Sequence, residues 1–189
     1  MTSQTTKLMN FVHAFGAARA LIQKANREGA LLEGLALYAS VCDGFLRIGL
    51  VLKRQLVRSN DDIDDLLISQ EPNGQYYTER KIQRLALNEG IITQEMFSEL
   101  SALYDKRNDA IHKFFLTGLQ YSHLASVLER YEIVYKKLNE VVYALEAEQA
   151  KKGVGMSRVE NNSPKQNAEV LRKIALKIDP NLVSGMIEP

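Results

Sequence analysis

Arg107 and His112 are the residues of this chain best suited to do chemistry, five positions apart in Lys106-Arg107-Asn108-Asp109-Ala110-Ile111-His112. An imidazole, with an ordinary pKa near 6.5, can take or give a proton at neutral pH. A guanidinium stays charged and forks two donors onto an anion as negative charge builds on it. Together they suit acid–base chemistry beside an anionic group. With eleven Arg and three His in 189 residues, chance alone supplies such a pair in roughly one sequence in six of this composition, so the spacing needs support from its surroundings. On an ideal helix a five-residue offset is a rotation of about 140°, which separates Arg107 from His112, whereas Asn108 and His112 share a face. A working site therefore requires a helix that ends or bends within the segment, or a two-fold axis that sets a second copy alongside.

Other residues offer weaker chemistry. Asp61, Asp62, Asp64 and Asp65 have oxygen ligands for a cation, but acids at a helix start are expected on electrostatic grounds alone. Arg80, Lys81 and Arg84 beside Tyr76 and Tyr77 have the composition of a basic surface with stacking rings for single-stranded RNA, against the plainer reading of a solvated helix face. His13 and His123 lack a Cys or a second His at ligand spacing, so no metal or cofactor is expected. The single Cys42 lies in an apolar stretch and reads as a buried, inert thiol in a reducing compartment.

The elements that must position these residues are helices. Residues 5–28 carry Leu8, Phe11, Val12, Phe15, Leu21, Ile22 and Ala25 at three-and-four spacing, and Gly29 stops them. Residues 31–57 are apolar over a broad surface, as a central helix is. Ser59 or Asn60 is placed to cap a helix opening at the Asp cluster, Glu71-Pro72-Asn73-Gly74 is a turn, Thr78 caps a segment ending at Gly90, and Thr93 caps the helix that carries the Arg-His segment. That last helix is expected to reach Phe115. Thr117-Gly118 breaks the pattern before a long amphipathic segment over 121–150. No alternating β-branched run with hairpin signals occurs. The expected fold is all-α, an antiparallel helical bundle over 1–150, followed by a polar linker and a short tail helix within 151–189 whose stripe is Leu171, Ile174, Ala175 and Ile178.

At Arg107-Asn108-x-x-x-His112 the sequence resembles the HEPN family, all-α domains that share an Arg, usually followed by a polar residue, and a His four to six residues beyond it. The residues from Leu35 to Arg47 also look like that family's earlier core helix, and the likeness spans about 29–150, leaving an extra N-terminal helix and the tail. The resemblance implies a metal-independent endoribonuclease that cuts single-stranded RNA as a homodimer with its two motifs facing each other. It gives Arg107, Asn108 and His112 catalytic roles and Lys106 and Lys113 a role in drawing in the RNA backbone. It also implies a toxin or anti-phage setting with a regulatory or antitoxin protein as partner. The alternative within the family is an inactive protein- or RNA-interaction module. A subgroup carries Tyr two positions after the His; here that position is Phe114, which has no hydroxyl to modify.

Bulk properties narrow the setting. A formal net charge of +1 leaves no field over the whole surface, so nucleic-acid affinity must come from a local groove, and a coating role is disfavoured. The polar start lacks the apolar core of a signal peptide and no run of about 18 apolar residues is seen, so a cytoplasmic protein without a membrane partner is expected.

Overall fold

The computed structural model describes residues 3–70, 74–114, 116, 118 and 120–157. Those residues form six α-helices and no strand: α1 (Gln4–Glu28), α2 (Leu31–Arg58), α3 (Asp65–Ile68), α4 (Glu79–Asn88), α5 (Gln94–His112) and α6 (Tyr121–Lys152). The fold is all-α, as expected.

Local caps fix most of the boundaries. Ser3, Thr78 and Thr93 each accept a hydrogen bond from the backbone N–H three residues on, and Gly29 and Gly153 close α1 and α6 in the left-handed region. The Asp-rich stretch differs from expectation. Ser59 is the left-handed cap that ends α2, at φ 54°, and Asp64, not Ser59 or Asn60, opens the one-turn α3 by accepting from Leu66 N–H. Asp61 and Asp62 therefore precede the helix instead of lining its first turn. The Glu71–Gly74 turn falls largely, and the tail helix and its linker fall mostly, outside the described residues, as does Phe115; α5 itself stops at His112.

The core forms around α2, which packs most extensively against α6 and then α1. Leu35, Cys42, Phe45, Leu46, Leu50 and Leu52 of α2 are buried against the α6 stripe of Leu124, Leu128, Tyr131, Val134, Leu138 and Val142. These two helices run in the same sense. At one end the Tyr121 hydroxyl donates to the Gly29 carbonyl at 3.1 Å and accepts from Leu31 N–H at 3.0 Å; at the other, Gln149 Nε2 donates to the Leu52 carbonyl at 3.0 Å. The central pair thus departs from an all-antiparallel bundle, which the long connection through α3, α4 and α5 permits. By length and composition α2 holds an 18-residue window, of mean hydropathy 1.7, apolar enough to cross a bilayer, and 67% of that window is buried inside the protein. Beyond α6 the chain turns back: Met156 N–H donates to Gln55 Oε1 and Ser157 N–H to Gln149 Oε1, giving two buried glutamines their partners.

Candidate functional site

Helix α5 is continuous from Gln94 through His112, and Lys113 N–H closes it on the Asp109 carbonyl at 3.0 Å. No bend brings Arg107 and His112 together, so the two side chains leave the helix on different faces. His112 is exposed in the last turn and Lys106 is exposed nearly two turns earlier, while Asn108 is half-buried. Lys113 pairs with Asp109 at 3.2 Å.

Arg107 turns inward. Its side chain is 19% exposed and forms an ion pair with Glu79, the first residue of α4, instead of the neighbouring Asp105 or Asp109. Its guanidinium carbon lies 4.9 Å from the centre of the Tyr104 ring, whose surroundings also hold Arg80 at 4.7 Å. Behind the pair lies a second carboxyl: Asp43 of α2 accepts from Arg47 Nε at 2.5 Å, and Arg47 continues to the carbonyls of Leu66, Leu67 and Tyr77. Burial raises the Glu79 carboxyl above its ordinary range, with Arg107 opposing and Asp43 reinforcing the rise. Burial also raises Asp43, against the pull of Arg47 and Arg107. Asp43 Oδ1 and Arg107 Nε are buried without a hydrogen-bond partner among the described residues. The Tyr131 hydroxyl, buried behind Arg107, is pushed up by desolvation and by Glu79.

The site is therefore an Arg held in a cluster of Glu79, Asp43, Arg47, Tyr104 and Tyr131, next to an exposed His on the adjoining face. The supporting cluster is not legible in the local pattern, apart from Asp43 and Arg47 as the charged i,i+4 pair in the mostly apolar middle of α2. Glu79 at a helix start passes for an ordinary dipole partner.

The remaining candidates are mostly engaged elsewhere. Arg80 pairs with Asp105 at 2.5 Å, Lys81 lies 4.5 Å from the Tyr77 ring centre, and the Tyr77 hydroxyl donates to Asp64, so Tyr77 is no free stacking platform. Asp64 binds Arg54 at 3.0 Å and Asp65 binds Lys7 at 2.9 Å. Among the described residues no three His, Cys, Asp or Glu side chains are grouped to hold a metal ion. His123 Nδ1 accepts from Gln120 N–H at the start of α6, and His13 is exposed on α1. Cys42 is buried, and desolvation pushes its thiol far above the ordinary range, which leaves it inert at neutral pH. No family model, no curated protein and no solved structure matches the chain, so its function is argued from this site.

Proposed function

We propose that the chain is a metal-independent endoribonuclease of the HEPN type that cuts single-stranded RNA at a site completed by a second copy of itself. The observation that carries this reading is the placement of the motif on α5: His112 exposed in the final turn, with Arg107 fixed by Glu79 on the adjoining face. In this reading α2 to α6 form a HEPN-like bundle, α1 is the added helix, and neighbours with short connections lie antiparallel. One imidazole takes the proton of a ribose 2′-hydroxyl as that oxygen attacks the adjacent phosphorus. The bond to the 5′-oxygen breaks, and the leaving oxygen takes that proton from the imidazolium through water, so the upstream fragment ends in a 2′,3′-cyclic phosphate. Each proton transfer is typically worth about 10² to 10⁴ in rate. Arg107 stabilises charge on the phosphoryl oxygens, Asn108 orients the phosphate or the imidazole, and Lys106 and Lys113 supply positive potential along the strand. A cytoplasmic toxin or anti-phage role under an antitoxin-type regulator follows the same resemblance.

A second reading, an inactive interaction module, is favoured by the Arg107–Glu79 ion pair itself, since that guanidinium already holds a carboxylate. Cleavage of a labelled single-stranded RNA in excess EDTA separates the two. The enzyme reading expects cyclic-phosphate ends and a loss of at least about 100-fold in His112→Ala. No cleavage by the folded native protein, or cleavage that survives His112→Ala, overturns it.

A further inference from the structure

Helices α1 and α6 both pack on α2 and meet where Arg19 reaches Tyr135, and there lies an open cavity of about 270 Å³ lined by Arg19, Ala20, Gln23, Asn26, Tyr38 and Tyr135. We propose that this cavity is a binding site for a small planar organic anion, a carboxylate on an aromatic body. The site is distinct from the Arg107–His112 segment and does not rest on the ribonuclease reading.

The argument turns on Arg19. The other half-buried arginines among the described residues, Arg47, Arg54, Arg107 and Arg130, each hold a carboxylate. Arg19 is also half-buried, yet no carboxylate among the described residues lies within ion-pair distance of it, and Glu146 feels it only at longer range. Instead its guanidinium carbon lies 5.9, 5.7 and 5.9 Å from the ring centres of Phe15, Phe45 and Tyr135. Nε donates to the Tyr135 hydroxyl at 3.1 Å. The terminal nitrogens have no acceptor among the described residues, and they are not sealed from solvent. An aromatic cage holds the guanidinium in place but compensates its charge only in part, so a forked donor pair is left pre-positioned at the cavity wall.

The rest of the cavity describes the ligand's body. Ala20, Ile22 and the tyrosine rings give apolar walls, while Gln23 and Asn26 bring polar groups; Asn26 Nδ2 already donates to the Tyr38 hydroxyl at 3.2 Å. The volume sits at the small end of ligand pockets. A single cation with apolar walls fits one carboxylate on a ring better than inorganic phosphate, which would leave those walls unfilled.

The test is thermal unfolding of the full chain at constant pH and ionic strength with 20 mM sodium benzoate, benzamide or inorganic phosphate. Benzoate is expected to raise Tm by about 3 °C, and its neutral isostere and phosphate to leave it within about 1 °C. Arg19→Gln should abolish the benzoate shift. Because Arg19 also packs three rings, Gln23→Trp serves as the second variant: it fills the cavity from its exposed rim, leaves the cage intact, and should abolish the shift as well. Absence of a benzoate shift, an equal shift from benzamide or phosphate, or a benzoate shift that persists in Gln23→Trp overturns the proposal.

Discussion

Arg107 is the cation paired with Glu79, and it also opposes the negative charge of Asp43. Removing a cation from such a place costs more than the pair itself is worth, because the carboxyls stay behind desolvated. Arg107→Ala should therefore destabilise the protein by about 2 to 4 kcal/mol in urea unfolding, and Arg107→Lys by clearly less, since it keeps the charge and loses only the fork. An equal loss in the two would assign the effect to packing on Tyr104 instead. The pair also predicts a pH dependence. Glu79 has a folded pKa raised above its unfolded value, so its contribution to stability is fully present below the unfolded value and is lost as pH rises through the folded one. The stability of the native protein relative to Glu79→Gln should thus improve as pH falls from 7 towards 5, read as the difference between their urea midpoints; a flat or opposite trend refutes the assignment. The placement of Arg107, Asn108 and His112 near the end of one helix capped by Thr93 was legible in the local pattern. Glu79 was not, because its partner lies 28 residues away and the pairing exists only once α4 and α5 are packed together.

At the scale of elements, helix ends were readable where their signals are local. Thr78 and Thr93 sit close to the N–H groups they satisfy, and Gly29 next to the turn it permits. The Asp61–Asp65 stretch misled because a tertiary demand wins there: Arg54 and Tyr77 both reach Asp64 and fix it as the cap. The shared direction of α2 and α6 was likewise hidden, since an apolar stripe records which face is buried and not which way its partner runs. What does follow from sequence and packing together is the role of Gly44. It lies on the buried face of α2 where α1 crosses, and a Cβ there would meet Phe15 Cδ2 at 2.6 Å and Cε2 at 2.8 Å. Phe15 is itself wedged edge-on against Phe45, with ring centres 5.0 Å apart. Gly44→Ala should cost about 1 to 3 kcal/mol by displacing Phe15, and should loosen α1 before the rest, which amide exchange along Gln4–Glu28 would register. Unchanged protection in α1 would mean that the ring moves aside without disturbing its helix.

At the scale of the molecule, a continuous α5 decides how the proposed activity must be assembled. One chain presents Arg107 and His112 on different faces, so in the proposed dimer a phosphate held by one chain's guanidinium would meet an imidazole from the other. In the proposed dimer a second copy would cover the apolar side chains close to His112 in sequence, Ile111 at 40% and Leu116 at 85% exposure. If the site is shared, two defective chains can repair each other. In an equimolar mixture of Arg107→Lys and His112→Ala chains, about half of the dimers are mixed, and each mixed dimer keeps one intact Arg facing one intact His. Ribonuclease activity near a quarter of the native level is then expected after subunit exchange, from two proteins that separately show almost none. A site contained within one chain gives no recovery at any mixing ratio. Ile111→Glu places a charge in the same apolar surface, and by this argument it should abolish both dimerisation in sedimentation and the recovery, while the isolated fold, in which Ile111 is already exposed, keeps its melting temperature within about 2 °C.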